Sequence, residues 1–271
     1  MDGNETKNKI LKIVTVALPI LLVAFLAIMI FIALDLADRS SQPVMGTGVS
    51  DTDGEQTTIP EEEINPPEDE PPVEEFFSEG LEFESLGGGT CALSGLGECT
   101  DTYIIVPSES PDGETVVAVK DNAFKNNTKI KGIEFPETLT EIGSYAFYGS
   151  SLKSIIITAE ISDIGSYAFA GCKYLTSITV DEDNPAYSDD GGVLYNKQGS
   201  VLITYPAGKG DNFCIISTKV ERIANMAFYK CSSIKKVTYH GTEAQWSYIE
   251  IGAGNDVIEE AILFCAGDAG K

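Results

Sequence analysis

The sequence predicts a mainly β solenoid of stacked parallel strands with capping elements, preceded by one transmembrane helix and a disordered acidic linker. Three observations lead to this prediction. An uncharged apolar run lies near the N-terminus, a stretch without Lys or Arg follows it, and the remainder repeats a fixed pattern of apolar positions. The 271 residues, 43% of them hydrophobic, suffice for one sizeable domain with appendages.

The apolar run covers residues 13–34 and predicts a helix that spans a membrane. Its 22 residues, at about 1.5 Å each, extend roughly 33 Å, which exceeds a hydrocarbon core of about 30 Å. A cleaved signal peptide has a shorter apolar region of about 7–15 residues, so an uncleaved anchor is favoured. Three lysines lie within residues 1–12, and only Arg39 closely follows the run. The positive-inside rule therefore predicts a cytoplasmic N-terminus, with the rest of the chain outside the cell.

Residues 35–79 predict a disordered acidic spacer that is rich in proline. Residues 40–119 contain 19 Asp and Glu but no Lys or Arg, and the spacer includes the run EEEINPPEDEPPVEE. Proline and like-charge repulsion favour an extended chain, up to roughly 140 Å at about 3.1 Å per residue. The spacer is either a stalk that clears a wall or glycan layer or a passive solubilising linker, and its proline content favours the stalk.

Most of the net charge of −24 belongs to this acidic region, because residues 120–271 hold 14 basic and 19 acidic side chains. Nucleic-acid phosphates and anionic lipid headgroups both repel such a chain. We therefore expect no nucleic-acid partner, and we expect membrane contact through residues 13–34.

A repeat of 22–23 residues occupies the C-terminal part of the chain. Its first half has apolar residues at i and i+3, then Ala-Phe at i+7 and i+8. The four copies are Val116, Val119, Ala123-Phe124; Leu139, Ile142, Ala146-Phe147; Ile161, Ile164, Ala168-Phe169; and Val220, Ile223, Ala227-Phe228. Its second half is apolar at i, i+3 and i+5. The four copies are Ile130, Ile133, Phe135; Leu152, Ile155, Ile157; Leu175, Ile178, Val180; and Ile234, Val237, Tyr239.

Each half of the repeat predicts its own local structure. The second half is short, rich in branched residues and alternating, which is typical of a strand. Ala-Phe places a small residue beside a large one, which suits a tight turn over a packed core. One unit cannot bury its own apolar side, so stacked copies are expected to share a core and to form parallel ladders spaced about 4.8 Å apart. Between the last two copies, a gap of 59 residues holds one repeat length plus an insertion.

The segment IGSYAFYGSSLKSIII…ISDIGSYAFAGCKYLTSITV resembles the BspA-like leucine-rich-repeat family. The resemblance covers residues 80–266 and implies a short leucine-rich-repeat-like solenoid. It also implies an N-terminal cap at 80–115 (GTCALSGLGECTDTYIIVP), a hairpin insertion at 181–212 (NPAYSDDGGVLYNKQGSVLITYPAGK) and a C-terminal cap at 240–266 (YHGTEAQWSYIEIGAGN), followed by a tail at 267–271. Members are typically bacterial or protist surface proteins associated with adhesion and protein binding, so the resemblance implies such a role.

One row of strand residues is the first candidate binding surface. In each L-x-x-I-x-I strand, the residue between the last two apolar positions points away from the core. These residues are Glu134, Ile156, Thr179 and Thr238, flanked by Ser154, Ser177 and Lys236. An isolated exposed apolar residue such as Ile156 is also normal without any function.

The insertion is the rival candidate, with aromatic side chains as its anchors. The segment at residues 183–209 contains Tyr187, Tyr195 and Tyr205, whose rings could anchor a binding partner. The alternative is that Tyr195 and Tyr205 pack inside the hairpin and do not contact a partner. In the C-terminal cap, Thr242 and Gln245 match a helix capping box.

The sequence predicts no enzyme, no cofactor and no metal site. The chain has one histidine, His240, expected to be an exposed surface residue, and contains neither C-x-x-C nor H-x-x-x-H. No nucleophile elbow accompanies that histidine. Trp246 is expected to cover the last repeat as core packing rather than as a ligand platform.

The cysteines have different expected roles. Cys91 and Cys99 lie eight residues apart in an expected hairpin, where a disulfide can form outside the cell. Cys172 and Cys231 each follow an Ala-Phe by three residues, so they are expected to be buried free thiols at one repeat position.

Together these features favour an extracellular protein-interaction or adhesion module, anchored in the cell membrane and displayed on the acidic stalk. The expected partner is a protein or another cell-surface ligand whose identity the sequence does not reveal. The alternative is a structural surface-coat protein without a specific ligand.

Overall fold

The computed structural model describes residues 76–268. The predicted transmembrane helix at residues 13–34 and nearly all of the predicted spacer lie outside this range. Within residues 76–268, no helix has both the length and the apolar character that a membrane span requires.

The described residues form many short strands and two short helices. In chain order the strands are β1 (Glu82–Gly87), β2 (Thr90–Gly95), β3 (Tyr103–Ile105), β4 (Thr115–Val119), β5 (Gly132–Glu134), β6 (Glu141–Ile142), β7 (Ser154–Ile157), β8 (Asp163–Ile164), β9 (Ser177–Val180), β10 (Tyr187–Asp190), β11 (Val193–Asn196), β12 (Val201–Thr204), β13 (Phe213–Ile216), β14 (Arg222–Ile223), β15 (Lys236–Tyr239), β16 (Glu250–Ile251) and β17 (Ile262–Cys265). The helices are α1 (Glu243–Trp246) and α2 (Asp256–Glu259), and a 3-10 turn covers Ala266–Asp268.

Each coil of the chain contributes one strand to each of two ladders. In the first ladder β2, β4, β6 and β8 pair in parallel, and β1 is the antiparallel neighbour of β2. In the second ladder β3 pairs with β5, and β7 with β9, again in parallel. Equivalent positions of consecutive repeats lie side by side, so that Ile142 pairs with Ile164 and Ile155 pairs with Ile178. The predicted solenoid of stacked parallel strands is confirmed.

Strand β7 illustrates why the second half of the repeat forms a strand. Ser154 and Ile156 are exposed, whereas Ile155 and Ile157 are buried. This alternation gives a branched, apolar inner face and a second face in contact with solvent. Branched side chains fit such a half-buried pleated surface well.

The Ala-Phe segments form the tight turns that the sequence predicts. The residue before Ala has a left-handed backbone, as at Tyr145 with φ of 57°. The Phe N–H then donates to the Ala carbonyl of the next coil, at 2.9 Å from Phe147 to Ala168. The rings stack in a column, with centroids 5.3 Å apart between Phe124 and Phe147 and 5.7 Å apart between Phe147 and Phe169.

The segment expected to be a hairpin insertion, residues 181–212, contains more than a hairpin. Strand β11 pairs antiparallel with both β10 and β12, and β10 and β11 stand outside the repeat. Strand β12 pairs in parallel with β14, so it is the first strand of an additional coil. In that coil Tyr205 takes the place of the turn Phe, because its N–H donates to Ala227 at 2.8 Å and its ring stacks on Phe228 at 5.0 Å.

The ladders also continue into the two segments expected to be caps. Strands β2 and β3 lie within residues 80–115 and already pair with the repeat strands β4 and β5. Strands β16 and β17 lie within residues 240–266 and pair in parallel with β14 and β15. Each of these segments therefore supplies a further coil of the solenoid.

The predicted capping box lies at the start of α1. The Thr242 hydroxyl accepts the N–H of Gln245 at 3.2 Å, and the Gln245 side-chain oxygen accepts the N–H of Thr242 at 2.9 Å. Trp246, at the end of α1, packs its ring edge-on against Tyr239 at 5.4 Å. The capping box and the packing role of Trp246 are both confirmed.

The buried core divides into two clusters at the hairpin. The first runs from Leu81 to Leu194, and the second from Val193 to Ile258. Consecutive residues of β11 thus belong to different clusters.

Candidate interaction surface

The outward face of β5, β7 and β9 holds five of the residues predicted to bind a partner. Glu134, Ser154, Ile156 and Thr179 are exposed there, and Ser177 is half-buried. Ser154 lies directly opposite Ser177, and Ile156 lies opposite Thr179. Ile156, with 61% of its side chain exposed, is the apolar residue of this group. This face is therefore mainly polar.

The hairpin prevents these residues from forming one row with Lys236 and Thr238. The N–H of Ile178 on β9 donates to the carbonyl of Gly192 in the hairpin turn at 3.0 Å. The turn therefore takes the position beside β9 that the next repeat strand would occupy. Lys236 and Thr238 lie on β15 in a separate three-stranded sheet. The prediction of one continuous row is wrong for this reason.

The sheet of β13, β15 and β17 presents a second, more apolar outward face. Its two cross-strand rows are Phe213, Lys236, Ile262 and Ile215, Thr238, Phe264, which together we call the C-terminal strand face.

Four side chains of the C-terminal strand face are large, apolar and exposed. The exposed fractions are 48% for Phe213, 53% for Ile215, 72% for Ile262 and 43% for Phe264. The ammonium group of Lys236 lies 4.7 Å from the centre of the Phe264 ring, within range of a cation–π interaction. A contiguous apolar surface around one cation is typical of a protein-binding patch.

Sequence reasoning included Lys236 and Thr238 but missed the four apolar members of this face. Strand β13 begins one residue after the segment expected to be an insertion, and β17 lies in the segment expected to be a cap. The signal was present in FCII at 213–216 and ILFC at 262–265, which combine branched and aromatic residues as strands do.

The tyrosines of the hairpin region do not form an exposed site. Tyr195 and Tyr205 are buried in the second core cluster, and burial raises the pKa of both hydroxyls. Tyr187 is half-buried, and its hydroxyl accepts the N–H of Ile164 at 2.8 Å. Tyr195 therefore packs within the hairpin and Tyr205 within the additional coil, and neither is exposed as an anchor for a partner.

Cys91 and Cys99 are not joined by the expected disulfide. Cys91 lies on β2 and faces Ser85 across the β1–β2 hairpin, whereas Cys99 lies in the loop after β2. The two residues are therefore not opposite each other, and both are buried free thiols. Cys91 Sγ instead lies 3.5 Å from the carbonyl oxygen of Glu114, to which it donates.

Cys172 and Cys231 are buried free thiols, as their equivalent repeat positions predict. Burial raises the pKa of both, that of Cys231 to about 12. Each donates a hydrogen bond to a neighbouring carbonyl, Cys172 to Phe147 at 2.9 Å and Cys231 to Tyr205 at 3.4 Å. Such thiols are poor nucleophiles, because the thiolate is disfavoured.

No cluster of metal-binding side chains is found in the part of the chain that the structure describes. There, no three side chains of His, Cys, Asp and Glu come together in a way that could hold a metal ion. His240 is exposed at the end of β15, as expected.

Residues 103–190 and 212–251 match the family described as BspA type Leucine rich repeat region, in six copies. Over these two ranges the chain is therefore similar to BspA-type leucine-rich repeats. The second matched range starts immediately before β13 and so includes a strand of the additional coil.

Several solved structures are similar to this chain. A leucine rich cell surface protein from Faecalibacterium prausnitzii is 18% identical, with a TM-score of 0.41 over 65% of this chain and 72% of its own. A leucine-rich repeat protein from Eubacterium ventriosum is 23% identical, with a TM-score of 0.39 over 51% of this chain and 54% of its own. The pneumococcal vaccine antigen PcpA is 21% identical, with a TM-score of 0.33 over 56% of this chain and 47% of its own. This chain thus spans about half the length of the latter two, and no curated protein matches it.

Proposed function

We propose that this protein is a cell-surface interaction or adhesion module that binds another protein through the C-terminal strand face. The observation that carries the proposal is the exposure of Phe213, Ile215, Ile262 and Phe264 in the two rows around Lys236. In water these side chains leave apolar area unburied, and a partner that covers them gains roughly 25 cal/mol per Å² of apolar surface. The BspA-type repeats support a binding role.

The proposal includes display outside the cell. The apolar run at residues 13–34 would anchor the chain, and the acidic segment at 35–79 would hold the solenoid away from the membrane. Both parts rest on the sequence pattern.

The test uses cells that display the full chain and measures their saturable adhesion to a surface coated with extracellular-matrix proteins. Ile215→Lys combined with Phe264→Lys places two charges in the apolar row, so we expect adhesion to fall at least about tenfold. Tyr248→Lys is the matched control, because that side chain is 86% exposed and lies outside the face.

A second variant examines the predicted row on the other sheet, Ile156→Glu combined with Thr179→Lys. If this variant alone abolishes adhesion, the binding face is that of β7 and β9 rather than the C-terminal strand face. Adhesion that is saturable and unchanged in both variants rejects both faces. Absence of any saturable adhesion supports the surface-coat function instead.

A further inference from the structure

A groove on the turn side of the repeats is lined by polar and cationic residues that belong to neither strand face. Its volume is about 420 Å³, and its walls include Lys131, Lys173, Lys230 and Tyr174. Among the described residues, no Asp or Glu lines it. In a chain with a net charge of −24, three lysines around one groove reverse the sign of the charge locally.

The three ammonium groups of the groove have no anionic partner within residues 76–268. Two other lysines, Lys120 and Lys209, make the ion pairs of that range. The ammonium of Lys131 donates instead to the carbonyl of Thr128 at 3.1 Å. The positive potential of the groove is therefore not neutralised from within the solenoid, and such a groove attracts anions.

Glycine occupies two turn positions beside the groove, where no larger side chain fits. Gly149 and Gly171 both have left-handed backbones, with φ of 65° and 69°. A Cβ on Gly149 would lie 2.5 Å from the side-chain oxygen of Asn126, and one on Gly171 would lie 3.0 Å from the Tyr229 ring. The two glycines therefore let the side chains of Asn126 and Tyr229 pack against the turn backbone beside the groove.

The remaining walls favour a saccharide over a peptide. Tyr174 is 48% exposed and offers a flat ring, with the ammonium of Lys173 4.7 Å from its centre. The other uncharged side chains are the amide of Asn126 and the hydroxyls of Thr128 and Ser151. A peptide would need apolar pockets for its anchoring side chains. No aliphatic residue lines the groove in the described structure, whereas amides and hydroxyls match sugar hydroxyls.

We propose that this groove binds an acidic oligosaccharide. Its sulfate or carboxylate groups lie against the three lysines, and one sugar ring lies on Tyr174. The groove is within the 300–1,000 Å³ range, about the size of typical small-ligand sites. It shares no residue with the C-terminal strand face, so this inference stands apart from the proposed protein partner.

The experiment is a calorimetric titration of the full chain in lipid nanodiscs. The probes are a chondroitin sulfate tetrasaccharide, neutral chitotetraose and a hexaglutamate peptide. We expect the sulfated probe to bind, and to bind more weakly as salt is raised. Lys173→Gln combined with Lys230→Gln should weaken it at least about tenfold. Lys219→Gln, an exposed lysine outside the groove, should leave the affinity unchanged.

Three results would overturn the inference. Failure of the sulfated probe to bind removes the site, and equal affinity of the double variant places binding elsewhere. Hexaglutamate binding as tightly as the sulfated sugar would assign the groove to acidic peptides. Circular dichroism of each variant establishes that a loss of affinity is not a loss of fold.

Discussion

Phe147 lies between the rings of Phe124 and Phe169 and is fully buried. Replacing Phe147 by Ala removes its stacking contacts with both neighbouring rings and leaves a cavity in the first core cluster. We expect Phe147→Ala to lower the free energy of unfolding by about 3–5 kcal/mol, the usual range for a buried Phe. Denaturant-induced unfolding followed by circular dichroism measures this loss.

Tyr248→Ala is the control for this measurement, because the Tyr248 side chain is 86% exposed. Its effect should stay within about 0.5 kcal/mol. A loss under about 1 kcal/mol for Phe147→Ala would mean that the ring column does not support the core.

Cys214 should make stability sensitive to alkaline pH. Burial raises the pKa of its thiol from 9.0 to about 12. The folded state thus favours the neutral thiol, and this stabilisation is complete below pH 9 and is lost as the pH rises through 12. Buried Tyr195, Tyr205 and Cys231 add to the same trend.

We therefore expect the free energy of unfolding to fall between pH 9 and 12, and to fall less steeply in Cys214→Ala. Denaturation in urea at pH 8 and pH 10.5, compared for the two proteins, measures the difference. If the free energy of unfolding falls equally in both proteins, Cys214 either stays neutral in the unfolded chain as well or is not buried.

The residues show where sequence reasoning succeeds and where it stops. Alternation in the repeat correctly predicts that Ile156 points outward, because that depends on local geometry alone. Spacing in the sequence cannot reveal whether Cys91 and Cys99 face each other, because that depends on which strand pairs with which.

Strand β12 lies in the segment expected to be an insertion, but it supports the strand ladder of the second core cluster. Deletion of residues 181–212 removes β12 and Tyr205, so β14 loses its parallel neighbour and Phe228 its stacking partner. We expect this deletion to abolish cooperative unfolding of the second core cluster. Hydrogen exchange of the amides in β14 and β15 measures the loss directly.

Gly191→Asn in the hairpin turn provides the matched control for the deletion. A Cβ there has no neighbour within 4 Å, and Asn tolerates the φ of 57°. Exchange rates in β14 and β15 should therefore match those of the unmodified protein. Protection that survives the deletion would show that β14 does not depend on β12.

The strands β5, β7, β9 and β15 were predictable because their L-x-x-I-x-I pattern repeats in register. The additional coil was not, since its turn reads Thr-Tyr at 204–205 instead of Ala-Phe. The break in the candidate row was also hidden. It depends on the hydrogen bond from Ile178 to Gly192, which joins two elements that no periodicity relates.

For the whole molecule, the central prediction concerns topology. Protease added to intact cells should remove the repeat domain and leave a small anchored fragment, because the basic flank within residues 1–12 is predicted to lie inside. Immunoblotting with tags at both ends measures the two fragments.

Protection of the entire chain in sealed cells, with digestion only after lysis, would reverse the predicted orientation. Reversing the charge of the three N-terminal lysines is the informative companion variant. It should shift part of the population to the protected form.

The division of the core at the hairpin has a consequence for biosynthesis. The first cluster takes its residues from 81 to 194, so they emerge from the ribosome before most residues of the second cluster do. Domains fold as units during synthesis, the N-terminal unit first. The early coils can then serve as a template on which β13, β15 and the later strands assemble one coil at a time, in the order of their release.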